Sequence, residues 1–257
     1  MLTSLHIFPH TPALLPFLHD PDYEQLRPIL RGILTSVAAI QQEKPSTILM
    51  ISALGPLLHH RVLTPEATSY TTGLKLFHEE AKEYTLPADA TLTKDLIENL
   101  INSRIPVESI QNQQSKQYEL DPASSIAMYF FASLTQEISL ASIYPSDHAY
   151  KTQGEIGEAI GSIVSASKQS VSIVVIAEGS QSQENTELAK LIEAMLTNPK
   201  ESMKSIPRLT ELADIADERN LRALMIALGI ISSQDLKESH LATSSPFGAQ
   251  YISACYK

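Results

Sequence analysis

The chain has 257 residues, 43% of them hydrophobic, and its 29 acidic and 19 basic residues give a net charge of -10. This length is enough for one large domain with a substantial core. The acidic surplus disfavours nucleic acid and anionic membranes as partners. The single cysteine, Cys255, excludes an internal disulfide and a cysteine-cluster zinc site.

Sequence patterns also argue against export, membrane insertion and phosphate-loop chemistry. His6, His10 and several prolines interrupt the apolar segment that a signal peptide would need. No apolar run approaches the roughly 20 residues of a membrane-spanning helix. The chain has only 9 glycines, and neither G-x-G-x-x-G nor G-x-x-x-x-G-K occurs. We therefore expect a cytoplasmic protein without a glycine-rich nucleotide loop.

Strand and helix patterns alternate along the first part of the chain. Leu5–Pro16 is predicted to be a strand that runs into a proline-rich loop. Asp22–Lys44 has apolar residues at helix spacing, and Pro28 marks a first-turn position or a kink. Thr47–Ser52 is a continuous apolar run, which is typical of a strand buried on both faces of a parallel sheet. Arg61–Ala88 is irregular and long enough to be a lid or a β-hairpin insertion.

The alternation continues to the end of the chain. Helices are predicted at Thr91–Ser103, after Asp121-Pro122, after a capping-box pattern at Thr152–Glu155, after Thr186, and from Asp217 to near Gly229. Strands are predicted at Ile105–Ile110, Ile138–Ile143, Val171–Ala177 and Gln250–Tyr256. The pattern predicts a single α/β domain over residues 1–257, with a mixed, mostly parallel sheet and helices on both faces.

The candidate chemical groups follow the predicted strands. His10 lies at the carboxyl end of the first strand, where open α/β sheets bind ligands. Glu178 directly follows the central strand and is the best-placed carboxylate, as a ligand, as a base or as a group that caps a loop. His59 and His60 are interpreted as exposed loop histidines that are also within reach of a metal site. A nonhaem iron site typically uses two histidines and one carboxylate. No spacing pattern in the sequence links His10, Glu178, His59 and His60 into such a site.

Other polar residues have structural interpretations. We expect His6 to be packed in the core, Asp121 to cap a helix and Cys255 to be an inert buried thiol. Three histidines without a histidine or acidic partner at i+3 or i+4 are interpreted as surface residues or as support behind a site: His78, His148 and His240. Three charged residues at a helix start are interpreted as a solvated, paired face rather than an anion site: Glu218, Arg219 and Arg222.

Several motifs fall in an order and spacing similar to those of one known family: Phe8–Pro16, Ile51–Pro56, Leu120-Asp121, Asn220–Leu224 and Pro246–Gly248. On these motifs the chain resembles the LigB-like class III extradiol ring-cleavage dioxygenases and the Memo-like proteins. Within that group it is most similar to the stand-alone bacterial proteins called AmmeMemoRadiSam system protein B. The resemblance covers nearly the whole chain. It implies a sheet flanked by helices, with ferrous iron held at the strand ends by two histidines and one glutamate, and a further histidine as acid/base.

Carried over residue by residue, the resemblance retains only His10 as a metal ligand. Four residues without a comparable role stand where the family has its other ligands and its acid/base histidine: Leu54, Pro122, Gln183 and Ser244. The resemblance thus implies a vestigial site in which His10, Glu178, Gln183 and Ser244 bind a ligand. We expect no cofactor and no ring cleavage. The leading hypothesis is a non-catalytic scaffold that binds a small molecule or a protein partner, with a homo-oligomer as a further option.

Two alternatives stay open. In the first, the chain is an Fe(II)-dependent extradiol dioxygenase, or another enzyme using Fe(II) or Zn(II), with relocated ligands such as His10, His59 or His60, and Glu178. In the second, it is a structural subunit of a larger complex, because dioxygenases of this type often assemble from more than one chain.

Overall fold

A computed structural model describes residues 1–18, 21–111, 116–131, 138–181 and 185–257. The strands are Leu2–Phe8 (β1), Thr47–Ser52 (β2), Val62–Glu66 (β3), Ser69–Thr71 (β4), Thr85–Pro87 (β5), Val107–Gln111 (β6), Gln117–Glu119 (β7), Ser139–Ile143 (β8), Val171–Ile176 (β9), Glu238–Ser244 (β10) and Tyr251–Tyr256 (β11). The α-helices are Arg27–Glu43 (α1), Ala90–Asn102 (α2), Pro122–Phe130 (α3), Tyr150–Ala166 (α4), Thr186–Thr197 (α5), Pro199–Ser202 (α6), Ile206–Leu212 (α7) and Glu218–Ser233 (α8). Within these ranges, no helix combines the length and apolar character needed to cross a bilayer.

A six-stranded sheet with the order β10-β11-β1-β9-β2-β8 organises the fold. The pairs β1–β9, β9–β2 and β2–β8 are parallel, whereas β11 pairs antiparallel with both β1 and β10. The predicted single-domain α/β fold with a mixed, mostly parallel sheet is confirmed. The four parallel strands bring their carboxyl ends to one edge of the sheet.

Side chains of the central strands alternate between two cores. In β2, Leu49 and Ile51 pack with residues of α2, α4, α5, α7 and α8. Ile48 and Met50 pack on the opposite face with residues of α1 and α3. A strand covered on both faces needs apolar residues at successive positions. This requirement explains why the run Thr47–Ser52 was recognisable as a strand.

The segment Arg61–Ala88 forms strands of two small sheets beside the main one. β3 pairs in parallel with β6, while β4 pairs antiparallel with β5 and in parallel with β7. The hairpin option is therefore confirmed for β4 and β5. Bridges from Leu63 to Tyr144 and from Ala88 to Leu140 attach this layer along β8. The free side of β8 is thereby covered.

Helices α4 and α8 cross with their backbones in contact. A Cβ atom on Gly157 would lie 2.1 Å from the carbonyl oxygen of Ile226, and one on Gly229 would lie 2.1 Å from that of Gly154. The prediction that α8 ends near Gly229 is wrong, because the helix continues to Ser233. Gly229 is required by the close helix crossing rather than by a helix end.

Two predicted helix starts are also wrong. Thr152–Glu155 lies inside α4, which begins at Tyr150 without a side-chain cap. The cap of α5 is Asn185 rather than Thr186, and its Oδ1 accepts a 3.1 Å hydrogen bond from the Leu188 amide. In contrast, Pro28 does occupy the first turn of α1, after a 3-10 turn at Pro21–Leu26. Strand β10 was not anticipated.

His6 is fully buried between the sheet and α1, as expected for a core residue. Its Nε2 lies 2.9 Å from Ser4 Oγ, which in turn donates to Glu43. Its Nδ1 has no hydrogen-bond partner within the described residues. Burial lowers the pKa of His6 to about 4, and the nearby negative charge of Glu43 opposes this shift only in part. The imidazole is therefore neutral in the folded protein at neutral pH.

Gly157→Ala is expected to destabilise the fold by about 1–3 kcal/mol or more, because the new methyl group would meet backbone that cannot rotate away. Gly161→Ala in the same helix is the control. There the nearest atom is Gln234 Cγ at 3.1 Å, at the base of a flexible side chain. Helix propensity then favours alanine by up to about 1 kcal/mol. Urea unfolding of both variants measures the difference, and equal effects would contradict the close crossing.

His6 should make the fold sensitive to mild acid. The folded pKa of about 4 lies below the ordinary 6.5, so the unfolded chain binds the proton first. Stability is fully present above about pH 6.5 and falls as the pH drops toward 4. Between pH 7 and 5 this single group accounts for a loss of about 2 kcal/mol.

The measurement is the free energy of unfolding at pH 7 and 5 in the wild type, His6→Asn and His78→Asn. The wild type and His78→Asn should show the full loss, whereas His6→Asn should lose about 2 kcal/mol less over this interval. The same pH dependence in all three proteins would show that His6 is not the responsible group.

Candidate functional site

His10 and Glu178 meet at the carboxyl edge of the sheet, where β1 and β9 run side by side. The strands stay paired to Phe8 and Ile176, after which the chain turns into the loops that carry the two side chains. The His10 backbone amide donates to Glu178 Oε1 at 3.1 Å, and His10 Nδ1 lies 3.5 Å from the same oxygen. The sequence predicted that both residues follow the carboxyl ends of strands. In the structure they lie at the same edge and are in contact.

Asn220, in the first turn of α8, joins these two residues. Its Oδ1 accepts a 2.9 Å hydrogen bond from the Glu178 backbone amide and lies 3.1 Å from His10 Nε2. Since the Glu178 amide can only donate, the atom that faces it must be the oxygen of Asn220. His10 Nε2 must then carry a proton and donate to the same oxygen. The other ring nitrogen, Nδ1, faces the Glu178 carboxylate.

A buried polar network extends from Glu178 to the start of α8. Glu178 Oε2 accepts from Gln181 Nε2 at 3.1 Å, and the Gln181 amide donates to Asp217 Oδ1 at 2.6 Å. Asp217 Oδ2 accepts from the Asp214 amide at 3.1 Å. Asp217 does occupy the N-cap position of α8, but its side chain binds these loop amides rather than the helix. The network ties the loop after β9 to α8.

Of the four positions at which the family resemblance implies a vestigial site, three lie in the described residues. Leu54 follows β2 with a partly exposed side chain. Pro122 is the first residue of α3, next to Asp121, whose Oδ1 accepts from the Ser124 amide at 3.1 Å. Ser244 ends β10, and Gln183 lies outside the described residues. The helix cap predicted at Asp121 is confirmed, and neither Leu54 nor Pro122 offers a metal-binding atom.

His59 and His60 contact Asp147 rather than His10. His59 Nδ1 touches Asp147 Oδ2, and the His60 amide donates to Asp147 Oδ1 at 2.7 Å. His60 Nδ1 lies 3.2 Å from His148 Nδ1. The His60 amide and the imidazoles hold the pKa of Asp147 at about 2. Both histidines are exposed, as expected, but they belong to a cluster that no local spacing indicated.

Cys255 agrees with its structural interpretation, whereas the charged face of α8 is paired but not fully solvated, since the Arg222 side chain is only 13% exposed. Cys255 is buried in β11, and burial raises the pKa of its thiol to about 11, so the thiolate is scarce at neutral pH. Arg222 donates to Glu218 at 2.8 Å along the face of α8. Tyr150, near this ion pair, has its pKa raised to about 12, mainly by burial.

Asn220 and Asp147 were not recognised as site residues from the sequence. Asn220 carried a usable signal, because it is a polar residue on the same helical stripe as the buried Leu224 and Ala227. A buried amide on an apolar stripe needs a partner. Asp147 carried no such signal, since it lies in a short polar loop.

A scan against protein-family models and a search of curated proteins each find no match for this chain. Among solved structures, the chain is similar to an uncharacterized protein, JW3007, from Escherichia coli K12. The TM-score is 0.61 at 14% sequence identity, and the alignment covers 99% of both chains. At this identity the likeness shows the fold alone. Its coverage agrees with the single-domain α/β architecture.

Asn220→Ala is expected to destabilise the fold by about 1–3 kcal/mol, because it leaves the buried amide of Glu178 without an acceptor. Asn99→Ala on α2 is the control. Asn99 is exposed and donates to a carbonyl of its own helix, so its loss should cost less than about 0.5 kcal/mol. Thermal or urea unfolding measures both, and equal costs would contradict the bridging role of Asn220.

Proposed function

We propose that this chain is a LigB/Memo-like family protein with a degenerate metal site, acting as a non-catalytic scaffold that binds a small molecule or a protein partner. The observation that carries the proposal is the shortage of ligand atoms around His10. Glu178 is the one carboxylate in contact with His10 among the described residues, and no described group of three metal-binding side chains includes either residue.

The donor set does not fit ferrous iron. A nonhaem iron site uses two histidines and one carboxylate, with open positions for substrate and oxygen. Here one imidazole nitrogen is available, and the facing carboxylate already accepts hydrogen bonds from His10 and Gln181. Leu54 and Pro122 stand where the resemblance implies further metal-binding or catalytic groups. These residues therefore do not support a ring-cleavage step.

The same residues support binding rather than catalysis. His10 retains 12% exposure of its side chain, at the edge of a buried network that fixes its orientation. A ligand at this edge would meet an imidazole whose orientation is already fixed by Asn220 and Glu178. This orientation does not require a metal, because Asn220 and Glu178 already supply the contacts.

The alternative with relocated ligands has less support. It requires His59 or His60 to approach His10 and Glu178. In the described residues these histidines instead contact Asp147, beyond the ends of β2 and β8. A metal held by them would therefore lie beside that pair of strands rather than between β1 and β9.

Oxygen uptake with protocatechuate-like catechols tests the proposal. Protein purified without a tag is supplied with Fe(II) under anaerobic conditions and then mixed with oxygenated substrate. We expect no catechol-dependent oxygen consumption above that of His10→Gln, because the ligand set is incomplete. Fluorescence- or calorimetry-detected binding of the same catechols without turnover would support a ligand-binding scaffold.

Turnover that His10→Gln abolishes while its unfolding temperature stays unchanged would overturn the proposal and restore the dioxygenase alternative. Size-exclusion chromatography with light scattering, on the pure protein and in lysate, separates a free scaffold from a component of a larger complex. Co-elution in a defined complex together with an absence of small-molecule binding would favour the structural-subunit alternative.

A further inference from the structure

We propose that His59, His60 and Asp147 form a binding site for a zinc-class divalent transition-metal ion, distinct from the His10–Glu178 contact. One Nδ1 or Nε2 atom from each histidine and one carboxylate oxygen lie within 4.8 Å of one another. Within the described residues, this is the one group of three or more histidine, cysteine or acidic side chains that meets this condition.

The parallel sheet brings the three residues together. Strands β2 and β8 are adjacent and parallel, with Ile51 opposite Ile143. His59 and His60 come from the loop after β2, and Asp147 comes from the loop after β8. The two loops therefore leave the sheet at the same edge and meet above it.

Backbone contacts hold the cluster in place before any ion binds. The His60 amide donates to Asp147 Oδ1 at 2.7 Å, which fixes the carboxylate beside both imidazoles. His60 has a φ angle of 54°, in the left-handed region that a histidine adopts infrequently. The loop thus adopts an uncommon backbone conformation at the residue that contributes both an amide and an imidazole to the cluster.

One pair of ligand atoms in the cluster is spaced as around a tetrahedral ion. With metal–nitrogen bonds of about 2.0–2.1 Å, neighbouring ligand atoms lie ~3.3 Å apart. His60 Nδ1 is 3.4 Å from Asp147 Oδ1, and His59 Nδ1 is in direct contact with Asp147 Oδ2. An ion between these atoms would require the His59 imidazole to rotate away from its direct contact with Asp147.

His148 supports the same assignment. Its Nδ1 lies 3.2 Å from His60 Nδ1, and the two rings stack with centroids 4.9 Å apart. His148 can serve as a fourth ligand after rotation, or it can orient His60.

The donor types select the kind of ion. Two imidazoles and one carboxylate suit zinc, copper and nickel, whereas calcium and magnesium prefer sets of oxygen ligands. The side chains of His59 and His60 are 79% and 59% exposed. A bound ion would therefore keep a position open to water. Zinc suits such a surface cluster because it has no strong geometric preference of its own.

The test is equilibrium dialysis of metal-free, untagged full-length protein against Zn²⁺, followed by metal analysis. We expect about one zinc ion per chain in the wild type. Asp147→Asn and His60→Gln should weaken binding by at least about tenfold, because each removes a ligand. Two variants should bind as the wild type does: His78→Gln, an exposed histidine elsewhere, and His10→Gln. Calcium and magnesium should not compete.

Three results would overturn the assignment: no zinc bound by the folded wild type, zinc bound equally by Asp147→Asn, or zinc lost in His10→Gln. The last result would place the ion at the ends of β1 and β9 and would count against the proposed function instead. Because the cluster lies in exposed loops, circular dichroism should show the same fold in every variant. A variant that fails this check is replaced by His59→Gln.

Discussion

The parallel pairing of β1, β9, β2 and β8 is the constraint on which both sites depend. Parallel neighbours must start at the same end of the sheet, so the loops that follow them emerge along one edge. Chain segments far apart in sequence then deliver polar side chains to common points. His10 and Glu178 meet beyond the central pair, and His59, His60 and Asp147 meet beyond the outer pair. Neither group has a local sequence motif.

The two groups differ in what their surroundings allow. Glu178 is buried, and its carboxylate accepts hydrogen bonds from His10 and Gln181. These bonds already orient the loops that carry both residues. The Asp147 cluster is open to solvent and is crowded with nitrogen atoms that face one another. A buried, satisfied network stabilises one arrangement of loops. An exposed cluster of facing imidazoles can rearrange its side chains with little change to the fold.

Much of the sheet was predictable because burial on both faces leaves an unbroken apolar run, as in β2 and β9. Strand β10 was missed because it is only partly buried and mixes polar with apolar residues. The capping-box pattern at Thr152–Glu155 wrongly predicted a helix start, because the same residue types also occur inside a helix. Gly229 wrongly predicted a helix end. A glycine required where two helices cross cannot be distinguished, from sequence alone, from a glycine that ends a helix.

At the candidate site, position relative to a strand end identified His10 and Glu178, but their partner Asn220 is 210 residues from His10. His59 and Asp147 are 88 residues apart. Contacts over such distances depend on strand order, and alternating patterns specify strands without specifying which strands become neighbours. A polar residue on an apolar helix stripe, such as Asn220, is the sequence feature that best indicates such a long-range contact, because its buried amide needs a hydrogen-bond partner.

The strand order also has a consequence for how the molecule assembles. β1 is the first strand, yet its partners are β9 and the final strand β11, with Leu5 opposite both Ile173 and Tyr256. During synthesis β1 must remain unpaired until β9 is available. Closing such long chain segments slows folding and leaves apolar surface exposed in the meantime. Intermediates made before β9 would therefore leave β1 unpaired, and the pairing of β1 with β9 in the middle of the sheet would form only after helices α1 to α4 have been made.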